Sequence, residues 1–359
     1  VINFSTRRAA GLSAIVLSAV ALTSCGSDSD AAQGGDSGPL VIASWGGAFS
    51  EATRALAEEF TADTGVEVEV LDAGDHVSTV QSMAEAGTTE WDMLDSMALA
   101  DSAQLESEGL LAHWPTDVDS ELVEKYGQDN VTDYGYAWSG YGFVVVCNKD
   151  AVAACPTNFT ELFDTEKFPG RRMLPTQTEY TLAAATAVAS GIPADEVFPD
   201  DTDVDALAST LKGISDDVSV WWTAGDQQNQ ALQQGEADMG IMASGRAYQL
   251  VDEGMNLQVS WNGVSIVGST NVLENAPHKD EAFQFTTWVA DHPAAQAKWM
   301  EAMGYTTPSV EALDSVPAEL KERLSTNPSN SAGLMQQDID WWLANKDAVD
   351  RAFAPVITG

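Results

Sequence analysis

The stretch SWGGAFSEA, Ser44 to Ala52, sets a tryptophan and two glycines between a strand-like PLVIAS and a helix-like ATRALAEEFTADTG. A turn of that composition can cradle a phosphate, carry a nucleophile, stack on a ligand or only make a corner. The phosphate cradle has no support, because Gly46 and Gly47 belong to neither a Walker A sequence nor a G-x-G-x-x-G run. The nucleophile elbow has none either, since no G-x-S-x-G is present. The four histidines, His76, His113, His278 and His292, do not stand at H-E-x-x-H spacing. DDTDVDA suggests a calcium loop. Numbered from Asp201, however, such a loop meets Ala206 where glycine is needed and Lys212 where the bidentate glutamate is needed. It reads instead as the acidic, solvated start of a helix. With no nucleophile–base pair, metal set or cofactor motif, the residues favour binding over catalysis.

The elements that hold these residues alternate. PLVIAS reads as a strand and FSEATRALAEEFTADTG as a helix closed by Gly65. VEVEVLDA alternates apolar and acidic residues, the pattern of a strand, and VSTVQSMAEAG follows as a helix. WDMLDSM and ADSAQLESEGLL repeat the pair. This order predicts a parallel α/β sheet with right-handed crossovers. WSGYGFVVVCNKDAV, Trp138 to Val152, is a longer β-rich run that carries the chain into a second domain. Beyond it come the apolar helix TLAAATAVASG, the strand DVSVWWTAG, the helix QNQALQQGE, the strand ADMGIMASG and the helix GRAYQLVDEG. LQVSW and GVSIVGSTNVL read as two strands, and AGLMQQDIDWWLANKDAVDRAFAPVI as one long helix.

A chain of 359 residues, 44% of them hydrophobic, is long enough for two domains. Its 16 basic and 55 acidic residues give a net charge of −39, which repels nucleic acid and anionic lipid headgroups. Two explanations fit the charge: a carboxylate surface suited to salt, or attraction of a cationic ligand. At the N-terminus, Arg7 and Arg8 precede an apolar run, Ala9 to Leu22, too short for a bilayer span of roughly 20 residues. LTSC, Leu22 to Cys25, resembles a bacterial lipobox, and the polar run Gly26 to Gly38 reads as a tether. The expectation is a signal peptide over residues 1–25 and an exported protein, anchored by lipid on Cys25, in the periplasm or on the outer face of the cell membrane. Cys147 and Cys155 remain, an even pair that invites a disulfide in an oxidising compartment.

Taken in order, the lipobox, SWGGAFSEATRALAEEFTADTGVEVEV, WDMLDSMALADSAQLESEGLL, FPGRR, WWTAGDQQNQALQQGEADMGIMASGRAY and MGYTTPS resemble bacterial ABC-transporter solute-binding proteins of the spermidine/putrescine-binding type. The resemblance runs from Pro39 to the C-terminus. It implies a two-lobe α/β periplasmic-binding-protein fold with several interlobe crossovers. Lobe 1 would comprise residues 39–140 and 267–313, and lobe 2 residues 141–266 and 314–359. A monomer would capture a small solute between the lobes and present it to the transmembrane subunits of an ABC permease. The strand-to-helix turn then faces the cleft, with Trp45 as a stacking platform and Gly46 and Gly47 allowing close backbone approach. By the same logic Ser96, Met97, Glu179, Tyr180, Trp222, Ser244, Tyr305 and Gln337 are candidate ligand contacts, and Trp45 and Tyr305 form an aromatic clamp. Polyamine binders hold ammonium groups with carboxylates, yet Gly268 stands where one is expected and only Glu179 remains of another pair. The expected solute is an amine or polyamine-like compound, and the departure favours a monoamine, a zwitterion or a neutral solute over a true polyamine. An exported enzyme or a sensor lipoprotein on the same scaffold is the alternative.

Overall fold

Leu40 to Ala43 form an apolar run between Pro39 and Ser44, too short for a stable helix, and open the sheet as β1 (Leu40–Ser44). The chain then turns through Gly46 and Gly47, both with positive φ, into the helix Gly47–Thr64. That helix buries Phe49, Leu56 and Phe60 and stops at Gly65, a left-handed residue whose N–H donates to Thr61 O. The computed structural model describes residues 38–176, 180–196, 198–199 and 201–359. The export segment, Cys25, the tether to residue 37 and Glu179 lie outside the described residues.

Nine further strands follow among the described residues: β2 (Val68–Asp72), β3 (Met93–Ala98), β4 (Val131–Thr132), β5 (Gly135–Asn148), β6 (Arg172–Pro175), β7 (Val218–Trp222), β8 (Met239–Ala243), β9 (Leu257–Val272) and β10 (Leu334–Met335). Their order is β2-β1-β3-β9-β5-β8-β6-β7, with β4 on β5 and β10 on β9. The β1–β2, β1–β3, β6–β7 and β6–β8 pairs are parallel, as the alternating elements predict. The centre departs from that prediction: β9 runs antiparallel to β3 and β5, and β5 antiparallel to β8. This is the two-lobe α/β fold of periplasmic binding proteins. One half is built on β1–β3 and the other on β6–β8, and β5 and β9 pass through both.

Two sequence expectations change here. LQVSW and GVSIVGSTNVL form a single strand, because Asn262-Gly263 is a bulge and not a turn. The β5–β9 register shifts at this point, and a β-carbon on Gly263 would collide with Phe143 O. The last helix begins only at Ile339, capped by Asp338, whose carboxylate accepts from Trp341 N at 2.9 Å. The preceding Leu334 and Met335 are taken by the edge of β9.

The core runs through both halves, from Ile42, Phe60 and Met93 through Trp138 and Val145 to Met173, Leu182 and Met242. A smaller cluster including Ala43, Val80, Leu94, Met97 and Leu105 covers the opposite face of β1 and β3. Arg172, from FPGRR, is fully buried. Its Nε donates to Leu162 O at 3.0 Å, and its other nitrogens donate to Gly170 O and Phe168 O, so one guanidinium staples a loop to β6. Cys147 and Cys155 form a disulfide with Cα atoms 5.6 Å apart, tying the end of β5 to the loop after it. No helix among the described residues is long and apolar enough to cross a membrane.

Candidate ligand-binding site

A cavity of 390 Å³ lies between the halves, at the ends of their strands. Such a position follows from parallel βα units, whose strand ends and helix starts converge on the crevice between sheets. The first half supplies Trp45, from the turn after β1, and Phe49, one helical turn later. It also supplies Ser96, near the end of β3, and Asp101, in the helix Leu99–Ser107. The second half supplies Trp222, at the end of β7, with Gly225 and Gln228 from the helix after it. Arg246 comes from the helix Ser244–Asp252, and Trp342 and Lys346 from the helix Ile339–Thr358. Tyr305 and Gln337 complete the wall.

Trp45 is held edge-on. Its indole N–H donates to Asp95 O at 2.8 Å and Ser96 O at 3.1 Å, while the side chain keeps 39% exposure on the cavity. His76 packs edge-to-face beneath it, with centroids 4.2 Å apart. Burial pushes the His76 pKa down to about 4, so the ring is a neutral support at pH 7. Ser96 has φ +57°, rare for a residue with a side chain, and its hydroxyl shares a hydrogen bond with Ser139. A β-carbon on Gly268 would strike the Ser96 hydroxyl. No side chain fits at position 268 unless Ser96 and Ser139 move.

The opposite wall is charged. Arg246 Nη1 donates to Asp226 Oδ1 at 2.8 Å, and the guanidinium lies against Gly225, where any β-carbon would overlap it. Gln228 is buried, and its Oε1 accepts from Ala243 N at 3.1 Å, which leaves its amide donor end to offer. Tyr305 stacks on Tyr141 with centroids 4.3 Å apart. Burial raises the Tyr305 pKa to about 12, against the opposing pull of Arg246, so its phenol stays protonated. Among the described residues, the lining carries two cations, Arg246 and Lys346, against one acid, Asp101. A wall of that balance suits a ligand with an anionic group, and the aromatic faces suit its carbon skeleton or a cationic end.

Residues 55–326 match the family described as bacterial extracellular solute-binding protein. The chain belongs to that family. Among solute-binding proteins it is similar to the gamma-aminobutyric acid-binding protein of Pseudomonas aeruginosa, 24% identical over 333 residues, covering 88% of this chain and 89% of the relative. The solved Atu4243 GABA receptor is 29% identical, with a TM-score of 0.79 over 89% of this chain and 98% of the other. The glucopine complex of MotA from Agrobacterium tumefaciens B6 is 25% identical, with a TM-score of 0.82 over 89% and 99% of the two chains. The polyamine resemblance is more distant: PotD of Streptococcus pneumoniae, a spermidine/putrescine transporter's substrate-binding protein, is 16% identical, with a TM-score of 0.67 over 89% of this chain and 99% of that one. That likeness carries the fold alone.

Of the positions expected to line a solute-binding cleft, Trp45, Ser96, Tyr180, Trp222, Tyr305 and Gln337 lie on the cavity wall. Met97 does not. The positive φ at Ser96 and the register shift between Leu94 and Met97 break the strand's alternation, and Met97 is fully buried in the smaller core cluster. Ser244 is also behind the wall, buried and accepting from Gly142 N at 3.3 Å. Gly46 and Gly47 shape the corner without lining the cavity; a β-carbon on Gly47 would lie 3.4 Å from the Asp226 carboxylate. Trp45 and Tyr305 both line the cavity, but Tyr305 packs with Tyr141, Phe49 and Trp299 and not with Trp45. Sequence reasoning missed Arg246, Gln228, Asp101 and Lys346. Arg246 had a signal: it lies two residues beyond Ser244 in the motif ASGRAY.

Proposed function

We propose that this solute-binding protein captures a small amino-acid-type zwitterion and delivers it to an ABC permease. The observation that carries this reading is Arg246, oriented by Asp226 and Gly225 and aimed at an aromatic cavity. A guanidinium held in that way offers a planar fork for a carboxylate, and Asp226 fixes its orientation without closing it off. A polyamine has no group to place there and would meet two like charges. The relatives named for gamma-aminobutyric acid and glucopine support the same choice, since each of those names denotes a carboxylate-bearing nitrogen compound. The cavity volume falls within the range of small-molecule sites and leaves room for a substituent on the amino acid. Export, lipid attachment at Cys25 and hinge bending near Gly140, Val267 and Thr306 complete the proposal. An exported enzyme is the weaker reading, because no nucleophile–base pair faces the cavity among the described residues.

Thermal-shift screening of ω-amino acids, α-amino acids, N-substituted amino acids, polyamines and sugars tests this reading. A ligand at a hundredfold excess over Kd should add about 2.7 kcal/mol of stability. Stabilisation by amino acids and not by putrescine is expected. Stabilisation by putrescine or spermidine alone would overturn the zwitterion reading.

A further inference from the structure

One pair of side chains on the cavity wall deepens the reading just given, on which the following rests. Asp101 is the one acid among the described lining residues, and Lys346 Nζ lies 3.7 Å from its Oδ1. That separation exceeds the roughly 2.7–2.9 Å of a charge-assisted hydrogen bond, so the contact is Coulombic and loose. The two come from different halves: Asp101 from the helix after β3, and Lys346 from the last helix, where Trp342 packs near Tyr180. Burial raises the Asp101 pKa, and Asp75 pushes the same way against Lys346. A carboxylate in that setting gains from any cation that approaches closer than Lys346 does. Lys346 in turn has somewhere else to go. Asp350, one turn along the same helix, is raised by burial and already feels Lys346 as a favourable charge.

We propose that Lys346 is a stand-in counterion. The ammonium of the incoming amino acid displaces it from Asp101 while the ligand carboxylate takes Arg246, and Lys346 turns to Asp350. Asp101 then selects for an amine, and Lys346 sets the threshold a ligand has to beat. The two residues therefore act on affinity in opposite senses, which an ordinary structural ion pair does not do. A structural pair loses the same contact whichever partner is removed.

Calorimetric titration with 4-aminobutyrate, butyrate and n-butylamine tests this on the parent, Asp101→Asn, Lys346→Met and Arg246→Gln. Asp101→Asn should weaken 4-aminobutyrate by about tenfold or more, as expected for a lost partner of a partly buried ammonium. Lys346→Met should tighten the same ligand by about threefold to tenfold, because a competitor for Asp101 is gone. Butyrate has no ammonium to place on Asp101, so Asp101→Asn should not weaken it. Thermal unfolding of each variant confirms that it folds. If both substitutions weaken 4-aminobutyrate, or neither changes it while Arg246→Gln abolishes binding, the counterion proposal is overturned and the amino-acid reading stands. If the parent binds none of the three compounds, both fall.

Discussion

Two arginines divide the work of this molecule. Arg172 opens β6 and Arg246 lies in the first turn of the helix Ser244–Asp252, and both are held in one orientation. Arg172 spends its fork on the carbonyls of Leu162, Gly170 and Phe168 inside the second half. Arg246 is oriented by the Asp226 carboxylate and reaches the cavity wall. A polar group whose partners are all protein contributes to the fold. A polar group that is fixed and left open has something to give a ligand. Asp95 and Trp45 repeat the contrast one strand away. Asp95 is buried and accepts from Ser44 Oγ at 3.0 Å and Thr53 Oγ1 at 2.6 Å, whereas Trp45 ties down its N–H and leaves its ring on the cavity.

The largest effect should fall on the spent group. Arg172→Leu would leave buried carbonyls without donors, at a cost of about 3–5 kcal/mol in chemical denaturation. Ligand affinity of the surviving folded protein should be unchanged; a tenfold loss would erase the contrast. Asp95 comes next. Burial raises its pKa from 3.8 to about 6, with the Thr53 and Ser44 hydroxyls opposing. A folded pKa above the unfolded one means that the folded state favours the protonated acid. The penalty is absent below about pH 4, grows between pH 4 and 6, and is complete above pH 6, reaching about 3 kcal/mol. Asp95→Asn should remove that pH slope, which denaturation at pH 4.5 and pH 7 would detect. A parent no less stable at pH 7 than at pH 4.5 on this group's account, that is, an unchanged slope in the variant, would count against it.

On the open side, Arg246→Gln should weaken the best amino-acid ligand by about a hundredfold, or roughly 2.7 kcal/mol, with little change in Tm. If Tm falls sharply and affinity does not, Arg246 belongs with Arg172. Trp45→Ala should weaken the same ligand about tenfold, near 1.4 kcal/mol, through lost stacking and cation contact. Equal affinity would reduce Trp45 to a corner residue.

This contrast also explains what could be read from the sequence. The order of strands and helices was legible because apolar periodicity and glycine stops are local. Trp45 and Tyr305 stood out because they match cleft aromatics of the family the sequence resembles and both precede turns at element ends. Met97 misled, because a single left-handed serine shifts the parity of everything after it in β3. Arg246 was within sight, two residues beyond Ser244, and was not singled out. Only the fold brings its guanidinium onto Gly225. Asp101 and Lys346 were illegible: one carboxylate among 55 acidic residues and one lysine near the C-terminus carry no mark of each other. Their meeting depends on how the last helix packs.

The paired strands β5 and β9 give the molecule a mechanical character. They bond to one another from Gly135–Asn271 to Asn148–Leu257, and that ribbon is continuous between the halves. A change of angle between the halves has to be taken up by flexing a beam, because there is no slack loop at that place to swing on. The ladder is interrupted at Ala137/Ser139 and at Phe143/Val145, and the beam is most compliant there. Gly140 lies between the two interruptions, clamped to Thr306 by a pair of 2.9 Å hydrogen bonds. Flexure of this kind would store elastic energy and return it, so in the proposed hinge motion the ribbon that permits closing would also supply the recoil that reopens the cleft.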